Sequence, residues 1–433
     1  MLKTKKFPLF ILLIITLFSS ADSYSQPGLS SPYTFFGVGY LSHINNVRNM
    51  TMGGIGIGTR SHYSLNLNNA ASLTSIDTNS FLFEGAAVGY YNSMQSENVN
   101  ETMLSGSLSH LMLGFPVMKW WKTSLGLLPY SNVDYTVFSY EQKEDIGRVQ
   151  YEYGGSGGLN QFYWSNAIQP LESISIGIKA SYIFGTTDKY QKVTFPDSAY
   201  MIGSNSINSI TISDLQLELG VQYHTSLKNG LKLVVGGVFQ PKVNMSAEKN
   251  FISRTFLGEV NQVEFYKDTV AYSPNEKGIV TFPSAFGFGF SLQKVNKWII
   301  GMDYKSELWK NYSSFGESDP SIKNSQSLSI GGEYTPNITS TSYFNRIDYR
   351  MGAKLNQSYL ELRNQQLNNF GITFGLGLPI RSIILRRSKA MINLGFELGT
   401  RGTLKNNLIK ENYANFYFGI IINEFWFLKR KYN

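Results

Sequence analysis

The chain has 433 residues, a formal net charge of +8 and no cysteine, so disulfides, thiolate metal sites and cysteine nucleophiles are excluded. Its 27 Tyr, 29 Phe and 40 Gly, against only 13 Pro, favour strands joined by turns and bulges. The positive excess is not gathered into a basic patch, which argues against a nucleic-acid partner and suits contact with anionic lipid head groups.

Lys3, Lys5 and Lys6 give a basic start, and Phe7 to Phe18 is an apolar run too short to span a bilayer as a helix. Ser23 and Ser25 are small residues before a cut between Ser25 and Gln26. Residues 1–25 therefore read as a secretory signal. Residues 26–78 are rich in Gly, Asn and Ser and have no regular period. They are expected to form a plug, or else a periplasmic tail. A wide barrel encloses more space than its own side chains fill, which favours the plug.

From residue 79 onward the chain alternates apolar and polar residues. Strands are expected at 80–92, 102–114, 121–142, 147–168, 172–190, 206–225 and 230–249. Further strands are expected at 280–293, 297–312, 323–335, 346–359, 366–379, 389–402 and 411–428. In Ala285–Leu292, the residues Phe286, Phe288 and Phe290 fall on one face, and Gly287, Gly289 and Ser291 on the other. Ile174, Ile176 and Ile178 alternate in the same way with Ser175, Gly177 and Lys179. A soluble sandwich would carry many charges on its outer face, whereas here the polar face is mostly Gly, Ser, Thr and Asn. These strands are also longer than the ~5–6 residues usual in globular sheets. Beyond the signal, no apolar run approaches the ~20 residues that a helical span needs.

The fold class expected is all-β: a transmembrane antiparallel β-barrel of about 14 strands over residues 79–433, with a hatch from residues 26–78 in its lumen. The location expected is the cell outer membrane. Connections alternate between short (115–120, 169–171, 226–229, 294–296) and long (191–205, 250–279), as periplasmic turns and extracellular loops do. An even strand count returns both termini to the periplasm. The long 250–279 loop, with Phe251, Phe256, Phe265 and Tyr266, is expected to be a contact surface or a lid.

Met52–Gly53–Gly54, followed by Asn69–Ala70–Ala71–Ser72–Leu73, resembles the hatch of FadL-type outer-membrane transporters. That hatch usually reads Gly-Gly and then Asn-Pro-Ala before the first strand; here Ala70 takes the place of the proline. Ser31–Pro32–Tyr33 with Gly37 and Gly39, and the ending Trp426–Phe427–Leu428–Lys429–Arg430–Lys431, resemble the Bacteroidota branch. The resemblance implies passive uptake of hydrophobic small molecules such as long-chain fatty acids, with sideways release through a gap beside a kinked third strand. Pro129 lies inside the third expected strand, where it cannot donate to the ladder. It marks a possible lateral portal, or merely a strand end.

Gly154–Gly155–Ser156–Gly157–Gly158 matches the G-x-S-x-G nucleophile elbow in letters only. No helix pattern follows, and His224 is the sole downstream histidine. A glycine-rich strand or bulge is expected there instead. Gly53 to Gly58 lacks dinucleotide-fingerprint spacing, and its glycines suit close packing in a lumen. His43, His62, His110 and His224 are too scattered for a metal site. The chain is therefore expected to be neither an enzyme nor a cofactor or metal binder. The expected inward charges are Glu84, Lys179, Glu218, Asp303, Lys305, Glu333, Arg350, Lys354, Glu397 and Arg401, holding the plug or tuning selectivity. Two functions follow: a passive channel for a hydrophobic small-molecule ligand, or a non-transporting barrel subunit of an outer-membrane assembly or secretion complex. The partners are then membrane lipid with that ligand, or other outer-membrane or secretion proteins.

Overall fold

In a computed structural model, the chain forms a closed antiparallel barrel of 14 strands. The structure describes residues 30–42, 45–97, 99–198, 200–257, 264–381 and 389–425. The signal at 1–25 with its cut site, His43 and the ending Trp426–Lys431 lie outside the described residues.

The strands are β1 (Tyr40–Leu41), β2 (Ser80–Gln95), β3 (Asn100–Pro116), β4 (Trp121–Asn132), β5 (Tyr135–Lys143), β6 (Gly147–Leu171) and β7 (Ile174–Thr194). Then come β8 (Gly203–Ser226), β9 (Leu231–Gln240), β10 (Val243–Leu257), β11 (Phe265–Phe282), β12 (Ala285–Lys294) and β13 (Trp298–Glu307). The last are β14 (Ser313–Ser314), β15 (Ser325–Tyr334), β16 (Asp348–Leu362), β17 (Gln365–Arg381), β18 (Lys389–Gly402) and β19 (Lys410–Phe425). Three wall strands are broken into successive segments: β4 with β5, β9 with β10, and β11 with β12. Pro241 and Pro283 lie at the last two breaks, where a missing donor interrupts a ladder at little cost. β19 pairs with β2 from Phe425↔Ser80 to Lys410↔Gln95, and this closes the cylinder.

Period-two patterning sorts the side chains. In β12, Phe288 is 62% exposed and Phe290 51%, while Gly287, Gly289 and Ser291 are buried. The outward face of β18 and β19 carries Phe396, Leu398, Phe416, Phe418, Ile420 and Ile422. Every backbone group in such a wall must bond to a neighbouring strand, because hydrocarbon offers no partner. Trp309, of opposite parity to Trp298, turns inward and is buried, with its Nε1 donating to Glu307 Oε2 at 2.8 Å.

One expectation fails. Of the expected 250–279 loop, residues 250–257 and 265–279 are strand. They are the upper part of β10 and most of β11, paired from Val243↔Phe282 to Leu257↔Phe265. β10 also pairs with β8, from Ala247↔Ile212 to Phe256↔Gly203. Likewise, 191–205 is shortened by β7, which runs to Thr194, and by β8, which starts at Gly203. The segments β5, β6, β7, β8, β10 and β11 thus continue as a sheet beyond the apolar band. The pattern there is weak because β11 exposes both faces over most of its length and has no buried stripe to read.

Residues 30–42 and 45–78 lie in the lumen. The segment at 30–42 packs high in the barrel, where Val38 and Leu41 join Phe282, Trp309, Tyr312 and Tyr359 in a buried cluster. Helix α1 (Val47–Met50) and the turns at 51–75 sit lower. β19 ends beside the start of β2, whereas Ser31 bonds to Glu411 near the far end, so the described chain begins at the opposite end of the lumen from residue 80.

Candidate functional site

The hatch has little regular secondary structure, and asparagine side chains satisfy its backbone instead. Asn46 caps α1 by accepting from Asn49 N at 2.7 Å, and its Nδ2 donates to Ser64 Oγ at 2.7 Å. Asn66 Nδ2 reaches Gly56 O at 2.6 Å, and Asn68 Nδ2 reaches Gly54 O at 2.8 Å. Asn69 begins the turn Ala70–Ser75 by accepting from Ala71 N at 3.0 Å, so the turn forms with Ala70 where the FadL-type pattern has proline. Gly53 and Gly54 have φ of 71° and 87°, which glycine adopts without strain.

The wall answers this folded backbone with a belt of inward glycines. Neighbouring strands pair Gly177 with Gly220, Gly236 with Gly289, Gly331 with both Gly301 and Gly352, and Gly375 with Gly395. A Cβ at Gly177 would strike Ala70 and Ala71, one at Gly220 Asn69, and one at Gly236 the Ile57 carbonyl. Gly289 faces Gly58, Gly331 and Gly352 face Met52 and Gly53, and Gly375 and Gly395 face Thr51. The hatch backbone is therefore laid directly on the wall backbone around most of the circumference.

Charge and hydrogen bonds join the same surfaces. Asp303 Oδ2 accepts from Gly56 N at 2.6 Å and Ile57 N at 2.7 Å. Gly53 N donates to Thr373 Oγ1 at 2.8 Å, and Lys179 Nζ donates to Leu67 O at 3.1 Å. Glu333 accepts from Arg48 at 2.8 Å and from Arg350 at 2.7 Å, with all three side chains buried. Burial works against the charge of Arg48, but Glu333 beside it holds the guanidinium above its ordinary range. Arg60 bonds to Ser175, Gln222 and Thr74, and burial lowers its pKa to about 10.

Of the candidate lumen charges, Glu84, Asp303, Arg350, Glu397 and Arg401 are buried, Lys179, Glu218, Lys305 and Lys354 line the cavity described below, and Glu333 sits between Arg48 and Arg350. Lys179 pairs with Glu218 at 2.9 Å, Lys354 with Glu397 at 2.6 Å, and Glu333 with Arg350. The others take partners that sequence reasoning did not single out. Lys305 pairs with Glu307, Arg401 with Glu411, and Glu84 lies 3.4 Å from His110 Nε2. Arg48 was missed too. A signal for it existed: Arg48 and Arg60 are the basic residues of 26–78, and Asp77 is its one acid, so a buried hatch needs carboxylates from the wall.

Between the hatch and the upper apolar cluster lies a cavity of about 220 Å3. Lys179, Glu218, Asp303, Lys305, Glu307 and Lys354 line it, with Ser327, Ser329 and Asn356. Above it Trp309 stacks on Tyr359 at 5.0 Å, and Tyr359 OH donates to Gly39 O at 2.6 Å. Leu41, Tyr130 and Trp309 of that cluster also line the cavity, together with Met50, Leu67 and Leu128.

At Pro129 the ladder changes. β3 pairs with β4 from Pro116↔Lys122 only as far as Leu111↔Leu127. On the other side β4 shifts register against β6 between Pro129 and Ser131. β3 itself shifts against β2 at Ser109, between Ala86 and Ala87. The upper end of β4 leans inward, where Leu41↔Ser131 and Tyr40↔Asn132 pair it with hatch strand β1. Gly157 and Gly158 make room for this bend. A Cβ there would meet the Thr186 and Ser131 carbonyls, and both glycines have positive φ; the G-x-S-x-G stretch is a glycine-rich part of wall strand β6, in continuous register with β7.

A closed 14-strand barrel with an N-terminal hatch is the FadL-type outer-membrane fold. A FadL homologue from Pseudomonas aeruginosa matches at a TM-score of 0.55 with 10% identity, covering 90% of this chain and 100% of that one. The Ralstonia pickettii toluene transporter TbuX matches at 0.55 with 12% identity, covering 89% and 99%. The Pseudomonas putida toluene transporter TodX matches at 0.54 with 12% identity, covering 90% and 100%. No curated protein matches in sequence. By family the chain belongs to BamG, whose model matches residues 4–433.

Proposed function

We propose that this protein is a sealed barrel that serves as a non-transporting subunit of an outer-membrane protein assembly or secretion complex. The observation carrying this reading is the interior. The hatch is backed onto a glycine belt and bonded through Glu333, Asp303 and Thr373, and the cavity above it sets Lys179, Glu218, Asp303, Lys305, Glu307 and Lys354 among its apolar side chains, so that it is not an uninterrupted apolar groove. Membership of the BamG family is in keeping with complex partners. The end bearing residues 80 and 425 is read as periplasmic, and the extended sheet as extracellular. The segment Ser31–Pro32–Tyr33 supports a place in the Bacteroidota branch of this fold.

A second reading is favoured by one observation, the break beside Pro129. In a passive channel, that break would release a hydrophobic small molecule into the membrane, and two of the structurally similar proteins are toluene transporters. Gentle extraction followed by native mass spectrometry separates the two. The subunit reading expects stoichiometric protein partners. A lone barrel carrying a fatty acid in its lumen would overturn it in favour of the channel.

A further inference from the structure

Charge is unbalanced at the end of the barrel that bears residues 80 and 425. Lys119, Lys228, Lys294 and Lys297 are exposed at its turns, and Arg346 lies half-buried against the Tyr343 ring. None of these bases is in an ion pair among the described residues. The acids of the same end are few. Asp77 lies 3.3 Å from His62 and Asp348 is bonded to Arg350, which leaves Glu172 and Glu424. At the other end the bases Lys143, Arg148, Lys249 and Lys323 pair with Glu141, Asp197, Glu276 and Glu361.

Lys228, Lys294, Lys297 and Arg346 share one arc of this rim. They are far apart in the sequence, but the closed wall makes their turns neighbours. Lys294 pairs with both Leu231 and Trp298, and Thr335 N donates to Lys297 O at 2.8 Å. Leu231, Lys294, Trp298, Tyr334 and Tyr349 are successive cross-strand partners, so they stand on one face. That face is the outward one, where Tyr334 and Tyr349 are exposed. A row of aromatic side chains of this kind lies where hydrocarbon gives way to head groups. Lys294 is within the row, and the other three bases are in the turns that follow it. Lys294 and Lys297 also edge a cleft of about 60 Å3 beside Arg60, but Lys228 and Arg346 do not, so what all four share is the membrane edge.

We infer that Lys228, Lys294, Lys297 and Arg346 form a binding site for the head groups of anionic phospholipids. Each basic residue at a membrane surface strengthens the attraction to anionic lipid about fivefold. A zwitterionic head group carries its own ammonium beside the phosphate and gains little. An anionic lipid meets both halves of the site, because its phosphate faces the bases while its acyl chains cover Trp298, Tyr334 and Tyr349. The site goes beyond the subunit and channel readings and holds under either. That the leaflet is the periplasmic one rests on the reading of the two ends given above.

The test is native mass spectrometry of the full chain released from nanodiscs that hold phosphatidylglycerol and phosphatidylethanolamine in equal amounts. One variant combines Lys228→Gln, Lys294→Gln, Lys297→Gln and Arg346→Gln. A control combines Lys267→Gln, Lys277→Gln, Lys310→Gln and Lys405→Gln, which removes the same charge from the other end. Heat-modifiable mobility on gels verifies that both fold. The native chain should retain phosphatidylglycerol in preference to phosphatidylethanolamine. The rim variant should retain at least about fivefold less of it, and the control as much as the native chain. No preference in the native chain, unchanged retention in the rim variant, or equal loss in both variants would overturn the site. Loss of a co-extracted protein from the rim variant, with phosphatidylglycerol retained, would overturn it in favour of an acidic polypeptide. Whether the native chain brings protein partners with it is a separate readout, so the subunit reading stands or falls apart from this site.

Discussion

At the residue scale, two kinds of contact hold the hatch, and they fail differently. Glu333 is shared by Arg48 from the hatch and Arg350 from the wall, and Arg350 also reaches Asp348 and Asn393. Replacing one partner of a buried charge cluster leaves the others uncompensated, which costs about 3–5 kcal/mol. Glu333→Gln should therefore lower the temperature at which the folded gel band is lost, and should admit protease to the Met52–Tyr63 segment. An unchanged temperature would mean that the cluster contributes nothing. The glycine belt works by distance instead. At Gly331 any side chain meets the Met52 carbonyl, so Gly331→Val should dislodge the hatch while the barrel still forms. At Gly89 a Cβ has open space, and Gly89→Ala should change stability by less than about 0.5 kcal/mol. Equal behaviour of the two variants would contradict the belt.

At the element scale, the wall strands were largely legible because their chemistry is strict. The Phe286, Phe288, Phe290 stripe with Gly287 and Gly289 opposite needs no tertiary information to be read. The inward set was legible for the same reason, since a charge such as Lys179 or Glu397 inside an alternating strand can face only the lumen. What parity cannot give is partners. Glu307 and Glu411 join Lys305 and Arg401 through the closed geometry, and nothing in their spacing foretells it. The β10–β11 hairpin was hidden because it leaves the bilayer, so hydrocarbon no longer imposes one apolar face on it. The lipid side gives its own check. Phe288→Lys puts a charge on the apolar band and should cost about 2–4 kcal/mol if Phe288 lies near mid-membrane. Refolding yield into lipid vesicles should fall accordingly, whereas Ser327→Lys, on the cavity side, should refold like the native chain.

At the scale of the whole molecule, the fold and the interior point in different directions. The barrel is FadL-type in outline, yet its lumen is occupied by its own N-terminal segment, bonded to the wall at several heights. A barrel sealed in this way keeps a fixed outer surface, and that surface is interrupted beside Pro129 and raised into a sheet above the membrane. Those features suit contacts with other proteins. The short motif at Gly53–Gly54 and Asn69–Ala71 revealed a hatch, but the residues that fix it in place, Asp303, Thr373 and the paired glycines, are spread over several strands. Only the closed cylinder brings them to one height.

The central claim is that hatch and wall form one cooperative unit, and backbone hydrogen exchange in nanodiscs tests it most directly. The amides of Gly53, Gly56 and Ile57 donate to Thr373 and Asp303, so they should exchange as slowly as those of β12 and β15 and become exposed only with the barrel. Fast exchange across Met52–Gly58, with the wall strands still protected, would show a hatch free to move and would contradict the sealed barrel.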